Sequence, residues 1–292
     1  MDLPQASASG KCRRMRSIIS ISSHVLARRV GQGISTFAFE RLGIGVMALP
    51  TVLSVIPTAG ALRGAPVPQE IFDLLLAGLE SAGALSGLDA LHIGYLRTAA
   101  QVASVGRVIA LVRAKSPGAA VFLDPILGDA PGGLYVPPET AAAIAAELVP
   151  HADILTPNLF ELGYLAGGVI SGEGVAVAAA RSLGAKYVAV TSAPSAVDRS
   201  STLLVERTSA HRLVTTRFET APHGTGDLLA ALFLARMLMG EKPLDALSLA
   251  VSSVHGLIAL ANSVGLPSLP HIEHQELLIA PHPCVQVDRI DG

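Results

Sequence analysis

The run Gly224-Thr225-Gly226-Asp227 holds the densest chemical signal in the chain. The apolar stretch behind it, 228–239, has the composition of a buried helix, so the glycine-rich turn opens that helix. The first turn of a helix leaves backbone N–H groups unbonded and carries the positive end of the dipole. Such an end binds anions and stabilises charge on a transferring phosphoryl group. An aspartate placed there can also take the proton of an attacking hydroxyl, as phosphoryl transfer requires. Taken alone, a plain helix start with a dipole-favoured Asp explains the four residues better.

Five further runs carry chemistry-bearing groups. In Asp124-Pro125-Ile126-Leu127-Gly128-Asp129, two acids could hold a cation near nucleotide phosphates, or form only a turn. In Thr156-Pro157-Asn158-Leu159-Phe160-Glu161, Asn158 and Glu161 have capping-box spacing. Glu161 could also face a metal through its water shell. The hydroxyls of Thr191-Ser192 could meet phosphates or cap a loop, and Ser23-His24 and Gly94-Tyr95 could touch a substrate ring or pack locally. Other signatures fail. No Lys-bearing phosphate loop is present, and Gly31-Gln32-Gly33 lacks the context of a dinucleotide fingerprint. His271, His274, His282 and Cys284 sit in a Pro-rich stretch without recognised metal-ligand spacing.

The elements that must position these groups alternate. Buried-type strands are expected at 17–22, 45–49, 90–93, 120–124, 152–155 and 187–190. Helices are expected near 32–42, 68–83, 98–114, 137–148, 158–166, 173–183, 225–239 and 243–263. The alternation implies βαβ crossovers and an α/β fold with a mostly parallel central sheet and helices on both faces. An antiparallel pair, 201–205 and 211–218, is expected at an edge. No repeat or linker interrupts the pattern, so one domain spans 16–292, behind a polar tail, 1–15, expected to be disordered. In such a sheet ligands bind at the carboxyl ends of the strands. The weak signals above all fall there, and that shared placement favours an enzyme.

Composition narrows the classes. The 292 residues are half apolar, enough for a full core, and the net charge of −2 argues against nucleic acid. Two cysteines, Cys12 and Cys284, give no disulfide framework, which suits a reducing, cytoplasmic compartment. The apolar stretch after Lys11, Arg13, Arg14 and Arg16 is too short for a signal peptide. No uncharged apolar run of membrane-spanning length is expected, with 228–239 broken by Arg236.

The order and wording of these runs resemble the pyridoxal kinase family, within the ribokinase-like superfamily. The resemblance covers roughly 17–265 and adds Leu134-Tyr135-Val136-Pro137 to the runs above. It implies a three-layer αβα ribokinase-like fold, ATP, a divalent ion (usually Mg2+), often K+, and a homodimer. It implies transfer of the γ-phosphoryl group to the 5′-hydroxymethyl of pyridoxal, pyridoxine or pyridoxamine. By that resemblance Asp227 is the base and Gly224, Thr225 and Gly226 form the anion hole. Asp124, Asp129, Thr156, Asn158 and Glu161 form the metal and phosphate environment. Tyr135, Thr191 and Ser192 contact the nucleotide phosphates, and Ser23, Thr51 and Tyr95 the vitamin ring. The departures lie on the substrate side. Ala27 and Arg28 replace a Tyr-Gly pair, Gly31-Gln32 replaces Gly-Asn, and Leu53-Ser54-Val55-Ile56-Pro57 replaces a polar stretch. The rivals are a hydroxymethylpyrimidine kinase, whose Gly-Ala-Gly-Ile-Gln helix start is absent here, and a non-catalytic vitamin-binding regulator on the same fold.

Overall fold

The computed structural model describes residues 14–27, 30–55 and 64–290. Its strands are β1 (Arg16–Val25), β2 (Ile44–Ser54), β3 (Gly64–Pro66), β4 (Ala90–Ile93), β5 (Ala120–Leu123), β6 (Gly128–Asp129), β7 (Gly133–Leu134), β8 (Ile154–Leu155), β9 (Tyr187–Ala193), β10 (Arg199–Glu206), β11 (Ala210–Thr216) and β12 (Gln286–Arg289). The helices are α1 (Gln32–Arg41), α2 (Gln69–Ser81), α3 (Ala99–Lys115), α4 (Pro138–Ala143), α5 (Leu159–Ala166), α6 (Glu173–Ser182), α7 (Thr225–Met239), α8 (Pro243–Ser263) and α9 (Glu276–Ile279).

One ten-stranded sheet runs β12-β11-β10-β9-β8-β5-β4-β1-β2-β3. From β9 to β2 every neighbouring pair is parallel. The strands split their side chains between two cores with period two. Ile19 and Ile21 of β1 join one core with Leu91 and Ile93 of β4. Ile18 joins the other, with Phe122 of β5 and most of α7. Burial on both faces is why these strands read as continuous apolar runs. The result is three layers, with α2 to α6 contributing to one face and α1, α7, α8 and α9 to the other.

The expected strands and helices are present, with informative differences. β1 and β2 outrun the expected segments because they keep pairing beyond the sheet's middle, to His24 opposite Leu53 and Val25 opposite Ser54. β10 and β11 do pair antiparallel near an edge, but β12 covers that edge. The helix expected at 137–148 is α-helical only over Pro138–Ala143, continues as a wider π turn over Ile144–Leu148, and tightens at Val149–His151. β3, β12 and the β6–β7 hairpin have no strong local pattern. Of the tail expected to be disordered, Arg14 is held by an ion pair to Asp89 at 3.0 Å; residues 1–13 lie outside the described residues. The expectation about uncharged runs also needs correction. α8 carries no charge beyond Asp245 and is long and apolar enough to cross a membrane. Half of that stretch is buried, and Leu247, Ala250 and Leu257 are fully enclosed within the α7–α8 core.

Candidate active site

All the parallel strands point their carboxyl ends to the same side, so the loops after them form one surface. Asp124 follows β5, Thr156 and Asn158 follow β8, and Thr191 and Ser192 close β9. Tyr95 follows β4, and Ser23 lies near the end of β1. The start of α7 faces the same region.

Gly224 takes a left-handed conformation, φ 91°, and lets the chain turn into α7. A side chain added at Gly226 would meet only open space, so the helix start is accessible. Among the described residues no side chain caps it. Asp227 therefore favours its own helix through the dipole alone and makes no capping hydrogen bond to it. Asp227 is the third helical residue, and its carboxylate lies close enough to the backbone N–H of Gly31, at the head of α1, for that N–H to favour its charged form. It is largely enclosed yet still reachable from solvent. Burial raises its affinity for a proton, and the Gly31 N–H opposes that rise.

Asp124 is buried and is held well above the ordinary carboxylate range, by burial first, then by the nearby Glu161 and Asp227. Glu161 is buried too. Its Oε1 accepts Leu127 N–H at 2.8 Å, and its Oε2 accepts Asn158 N–H at 2.8 Å. Asn158 Oδ1 accepts Glu161 N–H at 2.9 Å, completing the capping box. Asn158 Nδ2 also donates to Gly128 O at 2.7 Å. The box thus does more than start α5: it staples the loop carrying Asp124 and Asp129. Burial pushes Glu161 up to about 7 despite these donors. Asp129, on β6, is exposed, and its carboxylate hydrogen-bonds the Tyr135 phenol, whose proton is held by burial first and Asp129 next.

These acids fit a shared cation. The Thr156 hydroxyl is buried without a well-formed hydrogen bond, although it lies close enough to Asp124 to favour its charged form. A buried orphan hydroxyl beside mutually repelling carboxylates suits a hard cation. Among the described residues, however, no three His, Cys, Asp or Glu side chains converge on one point. Asp124, Asp129, Thr156 and Glu161 therefore form no closed ligand cage, and an ion held here would need further oxygen ligands, as Mg2+ commonly takes from phosphate and water.

Two non-glycine residues here hold positive φ: Ile126 at 42° and Ser192 at 53°. For a β-branched residue this is a real outlier, and such strain clusters at functional sites. Thr191 bridges to Asn158 across the β8–β9 gap. On the other flank, Thr51 is fully buried and donates to Tyr95 O at 2.7 Å, so it pins the Tyr95 loop. Tyr95 and Arg97 both donate to Tyr135 O, at 3.4 and 3.2 Å. That contact joins the ring-side loop to the phosphate-side loop. Leu53 and Val55 are about half exposed and form an apolar rim. Arg28, Ile56 and Pro57 lie outside the described residues.

Some site residues carried no signal. A cavity of about 260 Å³ lies just before Gly224, lined by Thr220, His223, Asn262, Leu266 and Pro267. Thr220 and Asn262 tie its walls together at 2.7 and 3.0 Å. No motif announces these residues; the loop before α7 and the end of α8 bring them together. His274, His282 and Cys284 line a separate groove beside His255 of α8, while His271 is buried with its ring on Phe37.

A three-layer fold of this order, with an open helix start opposed to buried acids, is that of the ribokinase-like phosphotransferases. A family model described as phosphomethylpyrimidine kinase matches residues 33–270. The pyridoxine/pyridoxal/pyridoxamine kinase of Bordetella avium is 38% identical over 262 residues, covering 85% of this chain and 88% of that protein. The pyridoxal kinase of Leifsonia xyli is 32% identical over 280 residues, covering 94% and 99%. The structure of the Leishmania donovani pyridoxal kinase with ADP and pyridoxamine superimposes with a TM-score of 0.87 at 26% identity, covering 94% and 99%. The chain belongs to the pyridoxal kinase family.

Proposed function

We infer that this chain is an ATP-dependent kinase that transfers the γ-phosphoryl group to the 5′-hydroxymethyl group of pyridoxal, pyridoxine or pyridoxamine. The observation that carries the reading is Asp227, partly accessible at the uncapped start of α7 and within electrostatic reach of Asp124. Asp227 is the base that takes the hydroxyl proton. The free N–H groups of Gly224, Thr225 and Gly226 bind the moving phosphoryl group, where the helix dipole favours negative charge. Asp124, Asp129, Thr156 and Glu161 would hold Mg2+, which would supply charge neutralisation at the ATP phosphates. Asn158, Tyr135, Thr191 and Ser192 border the phosphates, and the cavity at Thr220, His223 and Asn262 suits the nucleotide base. Ser23 and Tyr95 border the vitamin ring, with Leu53 and Val55 as its apolar rim. A homodimer in the cytoplasm, with K+ as a second ion, is the accompanying expectation.

The matching family description, phosphomethylpyrimidine kinase, supports a pyrimidine as a second acceptor class, and hydroxymethylpyrimidine is the acceptor that represents it here. A screen of the three B6 vitamers and hydroxymethylpyrimidine, with ATP and with or without Mg2+ and K+, separates the two. Phosphorylation of a B6 vitamer with the higher kcat/KM supports the inference; turnover of the pyrimidine alone overturns it. ATP hydrolysis and transfer both absent would favour a binding regulator.

A further inference from the structure

Gly31 and Gln32 are absorbed by no part of the reading above, yet they meet it at the base. Gly31 has φ 57°, and a Cβ there would lie 2.3 Å from Ser23 O and 2.6 Å from Ser23 Oγ. The backbone thus comes as close to the ring-side strand as glycine alone permits. Its N–H lies near enough to the Asp227 carboxylate to favour its charge, and its carbonyl accepts the buried Ser35 hydroxyl at 2.9 Å beside the Ser35 N–H at 3.0 Å. The next residue, Gln32, is also buried, which is unusual for its type. Its Nε2 donates to Ser20 O and to Leu49 O, both at 2.8 Å. These carbonyls belong to β1 and β2, just before the irregularity between Ser22 and His24. One carboxamide thus ties the head of α1 to both strands whose ends border the ring.

We propose that Gln32 is a positioning residue for phosphoryl transfer: by clamping the head of α1 to β1 and β2 it fixes the Gly31 N–H that orients the Asp227 carboxylate. The proposal rests on Asp227 being the base. The clamp and the base come from opposite ends of the chain and meet where α1 packs on α7. A fixed N–H beside a carboxylate favours one orientation of it toward the hydroxyl. Without that donor it can rotate, and misplacement by an ångström costs up to about 100-fold in rate. A purely structural anchor for α1 predicts something else: a less stable protein whose ring and nucleotide affinities fall together.

The test is a double-mutant cycle in the full chain, joining Gln32→Met to Asp227→Asn. Methionine keeps the length and removes both hydrogen bonds. Single-turnover phosphorylation of pyridoxal by the Gln32→Met variant should slow about 10–100-fold. Dissociation constants for ATP and pyridoxal should stay within about threefold, on the pattern of an interaction used only in the transition state. In the Asp227→Asn background the same substitution should cost nothing further, because coupled residues are not additive. An equal loss in both backgrounds overturns the clamp while leaving the base in place. A normal rate for Asp227→Asn alone overturns the base itself. If the Gln32→Met variant proves too unstable, Ser35→Ala, which removes the hydroxyl from the Gly31 carbonyl and leaves its two backbone donors, Ile34 and Ser35 N–H, in place, enters the same cycle; a loss of rate that persists in the Asp227→Asn background again refutes the proposal.

Discussion

Replacing Asp227 by asparagine separates chemistry from stability, because the structure assigns opposite signs to the two effects. The new side chain can still keep an amide oxygen beside the Gly31 N–H. It removes a charge that burial disfavours and that raises the proton affinity of Asp124. No cap is lost, since no side chain caps α7. The folded protein should therefore keep its Tm or gain slightly, and gain most at neutral and higher pH. The sign follows from the raised carboxyl: the folded chain holds a proton that the unfolded chain releases, so this group lowers stability as pH climbs above its ordinary range. Catalysis moves the other way. Loss of a general base costs about 10²–10⁴-fold, or about 2.7–5.4 kcal/mol at 1.36 kcal/mol per decade. The loss should fall on the single-turnover rate, with ATP and pyridoxal affinities within a small factor. The assay is quenched-flow phosphorylation of pyridoxal beside a thermal melt of the same sample. Turnover within about threefold of the parent, or a Tm lowered by several degrees with turnover intact, refutes the assignment of Asp227 as base, because a lost general base costs far more than that.

Other outcomes follow from the same geometry. In chelator-treated protein Glu161 sits near 7 against an ordinary 4.5, so stability should decline as pH rises between those values, and Glu161→Gln should flatten the decline. The Gln variant should also melt lower throughout, since one backbone N–H of the staple loses its acceptor at about 1–3 kcal/mol; an unchanged slope in a Tm-against-pH series refutes the assignment. Thr156→Val should raise the Mg2+ concentration giving half-maximal rate while leaving the metal-free melt unchanged or improved, because the buried hydroxyl makes no well-formed hydrogen bond that the change would break; an unaltered Mg2+ titration counts against it. The apolar rim at Leu53 and Val55 should leave the three vitamers with similar kcat/KM, as sites without polar partners discriminate weakly, and Leu53→Asn should sharpen the choice. Sharp pyridoxal preference in the parent protein would sink that expectation. Asn262→Leu should raise the KM for ATP with little change in that for pyridoxal, since Asn262 holds the wall of the cavity before Gly224; equal effects on both substrates would move the nucleotide base elsewhere.

What the sequence determined by itself is local. Periodic apolar residues bounded by Gly224 and Gly240 define α7, and Pro243 starts α8, because helix propensity and capping act within a few residues. The capping box of Asn158 and Glu161 is readable for the same reason. The parallel order of the sheet follows from alternation and burial, and the placement of each motif after a strand follows with it. Strands as short as β3, β6 and β12 carry too few residues for a pattern, and pairing partners decide them. The site's contacts belong to the tertiary structure alone. Thr51 and Tyr95 both look like ring contacts in the chain, and only folding brings the Thr51 hydroxyl to the Tyr95 carbonyl. Nothing near Asp227 in sequence says that the Gly31 N–H lies beside it, or that Asp124 lies within its field. Hydrogen bonds and charges act over a few ångströms of space, whatever the distance along the chain, and only the packing of α1 on α7 across the sheet brings those groups within that reach.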